Sequence, residues 1–136
     1  MAARTLQFQL NQRTGVPVYR QLMDQVLVAK ASGALQPGDQ LPTVRQLAVD
    51  LSINPNTVVR AYKELEIRGF LATQQGSGTF ITDQAVEADE VKRQERLTLL
   101  AGEFVARAAA EGYTLNQIIA RLQEMSSEAS SNSARS

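Results

Sequence analysis

Apolar side chains recur at helical spacing in three successive stretches of the first half of the chain. The first predicted helix covers about 17–32, since Pro17 suits the first helical position and Gly33 suits a C-terminal cap. Its apolar stripe consists of Val18, Leu22, Val26 and Ala29. Ahead of it, three apolar residues alternate with glutamines, which predicts a short half-buried strand. These apolar residues are Leu6, Phe8 and Leu10.

Two further helices follow with a brief link between them. Thr43 and Gln46 have the spacing of a capping box and place the second helix over about 43–51. Asn54 is a strong N-cap residue and Pro55 suits the first turn, so a third helix begins there. Helices separated by so few residues are typical of a helix-turn-helix.

A predicted hairpin follows the third helix. Residues 70–74 and 79–82 are rich in strand-forming side chains, and the glycine-rich segment 76–78 is predicted to form the tip between them. A hairpin in this position is the wing of a winged helix-turn-helix. The predicted fold class is therefore α+β and mostly α.

Composition and patterning change after the hairpin. An amphipathic helix is predicted to begin within 84–96 and to continue to about 108, and Thr114 with Gln117 forms the capping box of another helix. The end of the chain is rich in Ser, Ala and Asn, a composition typical of disorder. The predicted organisation is a DNA-binding domain with an N-terminal strand over 1–82, a two-helix region over 83–126 and a disordered polar tail over 127–136.

The last two predicted helices each carry one apolar face. Two helices of this size cannot bury both stripes alone, so the pattern favours pairing with a second copy of the chain. Folding back onto the first domain is the alternative. The predicted dimerisation residues are Leu97, Leu100, Phe104, Leu115, Ile118, Ile119 and Leu122.

Composition excludes several classes of function. The 136 residues include neither Cys nor His, which excludes disulfides, zinc fingers, thiol catalysis and histidine general-base catalysis. No cluster of carboxylates indicates a metal site or a catalytic pair, so neither a cofactor nor an enzyme is expected. There is no apolar run long enough to span a membrane and no secretory h-region, so the cytoplasm is the expected compartment.

Charge is distributed unevenly although the net charge is zero. Residues 1–82 hold eight basic and five acidic side chains, a balance of +3, whereas residues 83–136 hold six basic and nine acidic ones, a balance of −3. This asymmetry indicates that the first half faces nucleic acid, although a chance partition of solvated charges explains it equally well.

The third helix is the candidate recognition helix, because the second helix of a helix-turn-helix lies in the major groove. Arg pairs with guanine and Asn with adenine, the start of helix two suits a phosphate, and a glycine-rich tip lets the backbone approach DNA. Thr43 and Asn54 are helix caps first, with DNA contact as an added role. The predicted contacts are Thr43, Arg45, Asn54, Asn56, Arg60, Lys63, Gly76, Ser77 and Gly78, and Val59 lies on the same polar face.

Residues 16–82 resemble the DNA-binding domain of the GntR family of bacterial repressors. The matching stretches are 17–22, 35–48, 54–65, 68–71 and 76–80. The resemblance implies a winged helix that binds a palindromic double-stranded DNA operator as a homodimer. The family's contacts carry over to Arg45, Asn54, Asn56, Thr57 and Gly76. Some members have Arg in place of Pro55 and Val59, so the base readout by those arginines is not carried over to these positions, although Val59 could touch a thymine methyl.

The length of the C-terminal part indicates a subfamily. Only 54 residues follow position 82, too few for the large ligand-binding domains of many GntR proteins, and two helices resemble the YtrA subfamily. A winged helix that docks on another protein and a truncated MocR-type regulator are the alternatives. The sequence leaves open whether a small-molecule effector binds and whether the protein represses or activates.

Overall fold

The computed structural model of the protein describes residues 6–84 and 88–134, with side chains described as far as residue 128. One compact unit includes residues 6–84, and a second is formed from 88–128. The elements are α1 (Val18–Ser32), α2 (Val44–Leu51), α3 (Pro55–Ile67), β1 (Leu71–Gln74), β2 (Gly78–Ile81), α4 (Glu90–Ala110) and α5 (Leu115–Ala134). The mostly helical α+β class is confirmed, because five helices accompany one antiparallel pair of strands in the described residues.

Helix α3 lies at the centre of the first unit and packs against α1, α2 and β1. Three of its side chains, Val58, Ala61 and Leu65, are 0% exposed. The predicted apolar stripes of α1 and α2 meet it, so the helical spacing in the sequence identified the core. The buried residues of this unit are Phe8, Leu22, Met23, Val26, Ala29, Leu35, Leu41, Leu47, Ala48, Val58, Ala61, Tyr62, Leu65, Leu71 and Ile81.

The predicted N-terminal strand is wrong, although its alternation of burial is confirmed. Phe8 is buried between exposed Gln7 and Gln9, but residues 6–10 form no strand. The Gln9 backbone N–H donates to Gln25 Oε1 at 2.9 Å, and its carbonyl accepts from Gln25 Nε2 at 2.7 Å. A glutamine side chain of α1 therefore takes the place of a neighbouring strand.

Helix caps follow the sequence with two exceptions. Pro17, predicted to be the first helical residue, is instead the N-cap of α1. Thr43 Oγ1 accepts from the Gln46 N–H at 3.0 Å, but the Gln46 side chain donates to Asp50 instead of returning to Thr43. The box is therefore only half formed. At the start of α5 both halves form, with Thr114 and Gln117 exchanging hydrogen bonds at 2.9 and 3.2 Å.

Helix α5 is longer than the sequence predicts. It continues to Ala134, whereas a disordered tail is predicted from 127. The segment lacks Gly and Pro, and Ser and Asn cost only tenths of a kcal/mol each in a helix, so the composition does not stop the helix. The division into domains otherwise stays a prediction, and residues 135–136 lie outside the described residues.

A single buried hydroxyl ties α3 to the start of α2. Tyr62 is buried, and its hydroxyl donates to the Pro42 carbonyl at 2.7 Å, directly before the Thr43 cap. Burial raises the pKa of Tyr62 above its ordinary value of 10.0. The N-terminus of α2 is therefore fixed against α3 by a hydrogen bond to a neutral phenol.

Tyr62→Phe is expected to lower the free energy of unfolding by about 1 kcal/mol, because the Pro42 carbonyl loses its partner. The folded-state pKa is raised, so the tyrosine's contribution is present below about pH 10 and is lost as the pH rises above it. Urea unfolding from pH 7 to 11 measures both effects. Tyr113→Phe is the matched control, since Tyr113 is exposed and should change little. Equal effects of the two substitutions would contradict the assignment.

Candidate nucleic-acid interface

The polar flank of α3 is accessible along its length. Asn56, Arg60 and Lys63 are all exposed, on the side opposite the buried Val58 and Leu65. Within the described part of the chain, neither Arg60 nor Lys63 forms an ion pair. The flank therefore offers two uncompensated cations and an amide side chain to a ligand. Thr57, predicted through the resemblance, is half-buried beside them.

The two asparagines at the start of α3 have different roles. Asn54 is the N-cap, and its Oδ1 accepts from the Asn56 N–H at 2.8 Å. A bidentate contact with adenine needs both the oxygen and the nitrogen of the amide, so the cap competes with base contact by Asn54. The Asn56 side chain is exposed and makes no hydrogen bond with the described residues, which leaves both its polar atoms available.

The start of α2 presents a second set of polar groups. Thr43 and Arg45 are exposed, and the first amides of a helix have no acceptor within the helix. Thr43 Oγ1 accepts one hydrogen bond as the cap, so its own O–H remains able to donate. These donors, with the positive helix end, form an arrangement suited to a phosphate group.

The wing is built from β1 and β2 in register from Leu71 opposite Ile81 to Gln74 opposite Gly78. At its tip Gly76 has φ +82°, which favours glycine, and Ser77 is exposed. The segment before α2 also contacts the hairpin, since Gln40 forms an isolated antiparallel bridge with Phe80 of β2. The Gln40 side chain also donates from Nε2 to the Ser77 carbonyl at 3.0 Å. The tip is thus held by a residue that precedes α2.

Each of these regions is tied to α3. The Tyr62 hydroxyl holds the start of α2, and Glu66 of α3 accepts from the Thr73 hydroxyl of β1 at 2.7 Å. The Glu66 carboxylate therefore points toward the wing strand. The start of α2 and the wing are therefore both hydrogen-bonded to α3, the helix that carries the polar flank.

Gly78→Ala is expected to cost about 1 kcal/mol more stability than Gly76→Ala. Both glycines have positive φ, but only at Gly78 would a Cβ clash with Gln40 Nε2, whereas nothing lies within 4 Å at Gly76. The Gln40 side chain would have to leave the Ser77 carbonyl, at a cost of about one hydrogen bond. Urea unfolding measures the difference. In a Gln40→Ala background it should shrink to the part caused by the different backbone conformations, φ +131° at Gly78 and φ +82° at Gly76. An undiminished difference there would refute the explanation.

The predicted dimerisation residues lie on α4 and α5. Helix α4 has no buried side chain, and the six exposed members of the set are 43% to 57% exposed. Ile118 differs, because it is 7% exposed and lines a cleft of about 720 Å³ between the two helices with Phe104 and Ala108. Its side chain is covered by its own chain, so it is not free to meet a partner as predicted.

Two residues near the interface were not predicted from the sequence. Gln40 braces the wing tip, and Tyr19 of α1 lies under Arg60, whose Cζ is 3.8 Å from the ring centroid. Neither residue is marked by a local sequence pattern, since each contacts a residue about 40 positions away in the chain.

Among the described residues, no group of three or more acidic side chains is placed to hold a metal ion. None of the described helices is long and apolar enough to cross a membrane.

A three-helix core, a helix-turn-helix and a following hairpin define the class of winged helix-turn-helix proteins. The family model described as "Bacterial regulatory proteins, gntR family" matches residues 14–81. The chain belongs to this family, whose members are transcriptional regulators and not enzymes.

Two curated relatives and one solved structure illustrate the similarity. The uncharacterized regulator YhcF of Bacillus subtilis is 38% identical over 103 residues, which cover 76% of this chain and 84% of YhcF. The transcriptional repressor YtrA of Bacillus subtilis is 44% identical over 77 residues, 57% of this chain and 59% of YtrA. The structure of YtrA from Sulfolobus acidocaldarius, a GntR-family transcription factor, has a TM-score of 0.56 and 28% identity and covers 73% of this chain and 97% of that one. The chain is thus a YtrA-like member of the family.

Proposed function

We propose that the protein is a repressor that binds a palindromic operator as a homodimer. The observation that carries this proposal is the exposed flank of α3, where Asn56, Arg60 and Lys63 stand free of carboxylate partners in the described chain. Repression is supported by the similarity to YtrA of Bacillus subtilis, which is named a repressor. A chromosomal operator as target implies a cytoplasmic location.

In this proposal α3 reads base edges in the major groove. Arg60 donates two hydrogen bonds to guanine O6 and N7, and Asn56 pairs with adenine through its amide. Lys63, Thr43, Arg45 and the wing tip 76–78 contact phosphate and sugar, which fixes register without reading sequence. Asn54 and Thr57 support the start of α3, the first as its cap.

The second part of the proposal is the homodimer. Helix α4 buries none of its side chains, and apolar residues of α5 such as Leu115 and Leu122 are also exposed. Burial of such area contributes roughly 25 cal/mol per Å², so a second copy that covers both faces would be strongly favoured. Two-fold symmetry would place two recognition helices about one helical turn apart on the operator.

Arg60→Ala is expected to weaken binding to the preferred duplex by about 5- to 150-fold, equivalent to the roughly 1–3 kcal/mol of one bidentate base contact. The duplex is obtained by selection from a random library with the wild-type protein, and affinity is measured by fluorescence anisotropy across a salt series. The preference for that duplex over a scrambled one should fall with the affinity.

The matched control is Arg96→Ala, which removes an exposed arginine of α4 and should leave the preference unchanged. Wild-type binding should weaken steeply with salt, because phosphate contacts release counterions. Absence of salt-dependent DNA binding would instead favour a winged helix that docks on another protein.

A further inference from the structure

Helix α1 lies outside the helix-turn-helix, yet one of its side chains is in direct contact with the recognition helix. Arg60 Cζ lies 3.8 Å from the centroid of the Tyr19 ring. Cation–π contacts extend to about 6 Å, so this one is close. At this separation an edge-on guanidinium would press a nitrogen against the ring, and the distance therefore favours a face-to-face stack.

The Tyr19 ring is held in place by packing against the protein core. The ring is half-buried, while Arg60 on its other side is exposed. Arg60 makes no ion pair and no side-chain hydrogen bond within the described residues. The Tyr19 ring is thus the contact of the described chain that orients the guanidinium.

Stacking leaves the hydrogen-bonding capacity of the arginine intact. The five N–H donors of a guanidinium lie in its plane and point outward, whereas the ring contacts one face of that plane. An arginine held in this way can still donate two parallel hydrogen bonds to guanine. It also loses less side-chain freedom on binding than a mobile arginine does.

We infer that Tyr19 is a positioning residue for sequence readout, which holds the Arg60 guanidinium in the orientation that meets a base edge. The inference rests on the proposed function, because it assigns Arg60 a base contact. Specificity would then depend on a residue of α1 as well as on α3, and a change at position 19 would alter operator preference through Arg60.

Five proteins test the inference by anisotropy: wild type, Tyr19→Phe, Tyr19→Leu, Arg60→Ala, and Tyr19→Leu combined with Arg60→Ala. The probes are the duplex selected by the wild type and a scrambled duplex. Tyr19→Phe keeps the ring and should bind both like the wild type. Tyr19→Leu should lose about three- to thirtyfold for the selected duplex and less than about twofold for the scrambled one.

The double variant separates positioning from a merely structural role. If Tyr19 acts through Arg60, Tyr19→Leu should cause no further loss once Arg60→Ala is present. An equal loss with and without Arg60, or for both duplexes, would overturn the inference. Thermal unfolding by circular dichroism shows whether each variant is folded.

An NMR measurement on the free protein makes the test independent of DNA and of any variant's stability. The ring current of Tyr19 should shift the Arg60 Nε–H proton upfield relative to the exposed arginines. An unshifted proton in the wild type would overturn the inference and leave the proposed function standing. Failure of the wild type to bind DNA, with the shifted proton present, would instead refute the proposed function.

Discussion

Phe104→Glu is expected to lower affinity for the operator by more than about 100-fold. Phe104 is 50% exposed on the apolar face of α4, and a carboxylate there would be buried without a partner in the proposed dimer. Loss of the dimer separates two linked DNA-binding domains, and linkage of this kind multiplies affinity by about 10²–10⁴. Sedimentation velocity measures the oligomeric state, and anisotropy on the selected duplex measures the affinity.

Leu99→Glu is the matched control for this effect. Leu99 is 59% exposed on the same helix, but five residues away, about 140° around the axis, and therefore on the other side. The control should remain dimeric and bind like the wild type. If Phe104→Glu stays dimeric with full affinity, or if the wild type is monomeric at micromolar concentration, α4 does not form the proposed interface.

Leu65→Ala is expected to lower the free energy of unfolding by about 2–5 kcal/mol. Leu65 is 0% exposed on α3, the helix that packs against α1, α2 and β1, so the cavity would lie at the meeting point of the core. Small domains are stable by only about 5–15 kcal/mol, and this change therefore removes a large fraction of the total. Urea unfolding at constant temperature gives the value.

Ile67→Ala provides the comparison two residues further along the same helix. Ile67 is 70% exposed, and its truncation should change stability by no more than about 0.5 kcal/mol. Similar losses for the two substitutions would mean that α3 is not packed as the structure has it. DNA binding can be compared in the same two variants. Leu65→Ala should reduce DNA binding only under conditions in which part of the protein is unfolded.

Local sequence signals predicted the helices and their caps well. The stripe around Val58 and Leu65 is a property of helical spacing, and the Asn54 cap with Pro55 depends only on adjacent residues. Gly33 ends α1 in the left-handed conformation for the same local reason. Such features are set within one or two turns of chain, so they can be inferred without knowledge of the fold.

The remaining errors arise where distant residues decide the outcome. Alternating apolar residues around Phe8 are compatible with a strand, but a strand needs a backbone partner, and the Gln25 side chain takes its place. Gln46 has the spacing to complete a capping box, yet Asp50 one turn later is the partner it meets. The length of α5 depends on weak helix propensities that composition alone does not rank.

The candidate site also has some features that follow from local sequence and others that depend on contacts between distant residues. The exposed face of α3 follows from helical geometry, and the structure leaves Asn56, Arg60 and Lys63 accessible as the spacing predicts. The contact between Tyr19 and Arg60 joins two helices, and no periodicity within either one encodes it. The sequence therefore indicates which side chains face outward, while the fold determines which of them are held in place.

Methylation interference on the selected duplex tests most directly whether α3 enters the major groove. Methylation of guanine N7 obstructs that groove, and the proposed dimer predicts two clusters of inhibitory guanines about one helical turn apart. Arg60→Ala should abolish the dependence on one guanine in each cluster. Binding that tolerates methylation at every guanine N7, in wild type and variant alike, would contradict the proposed recognition by α3.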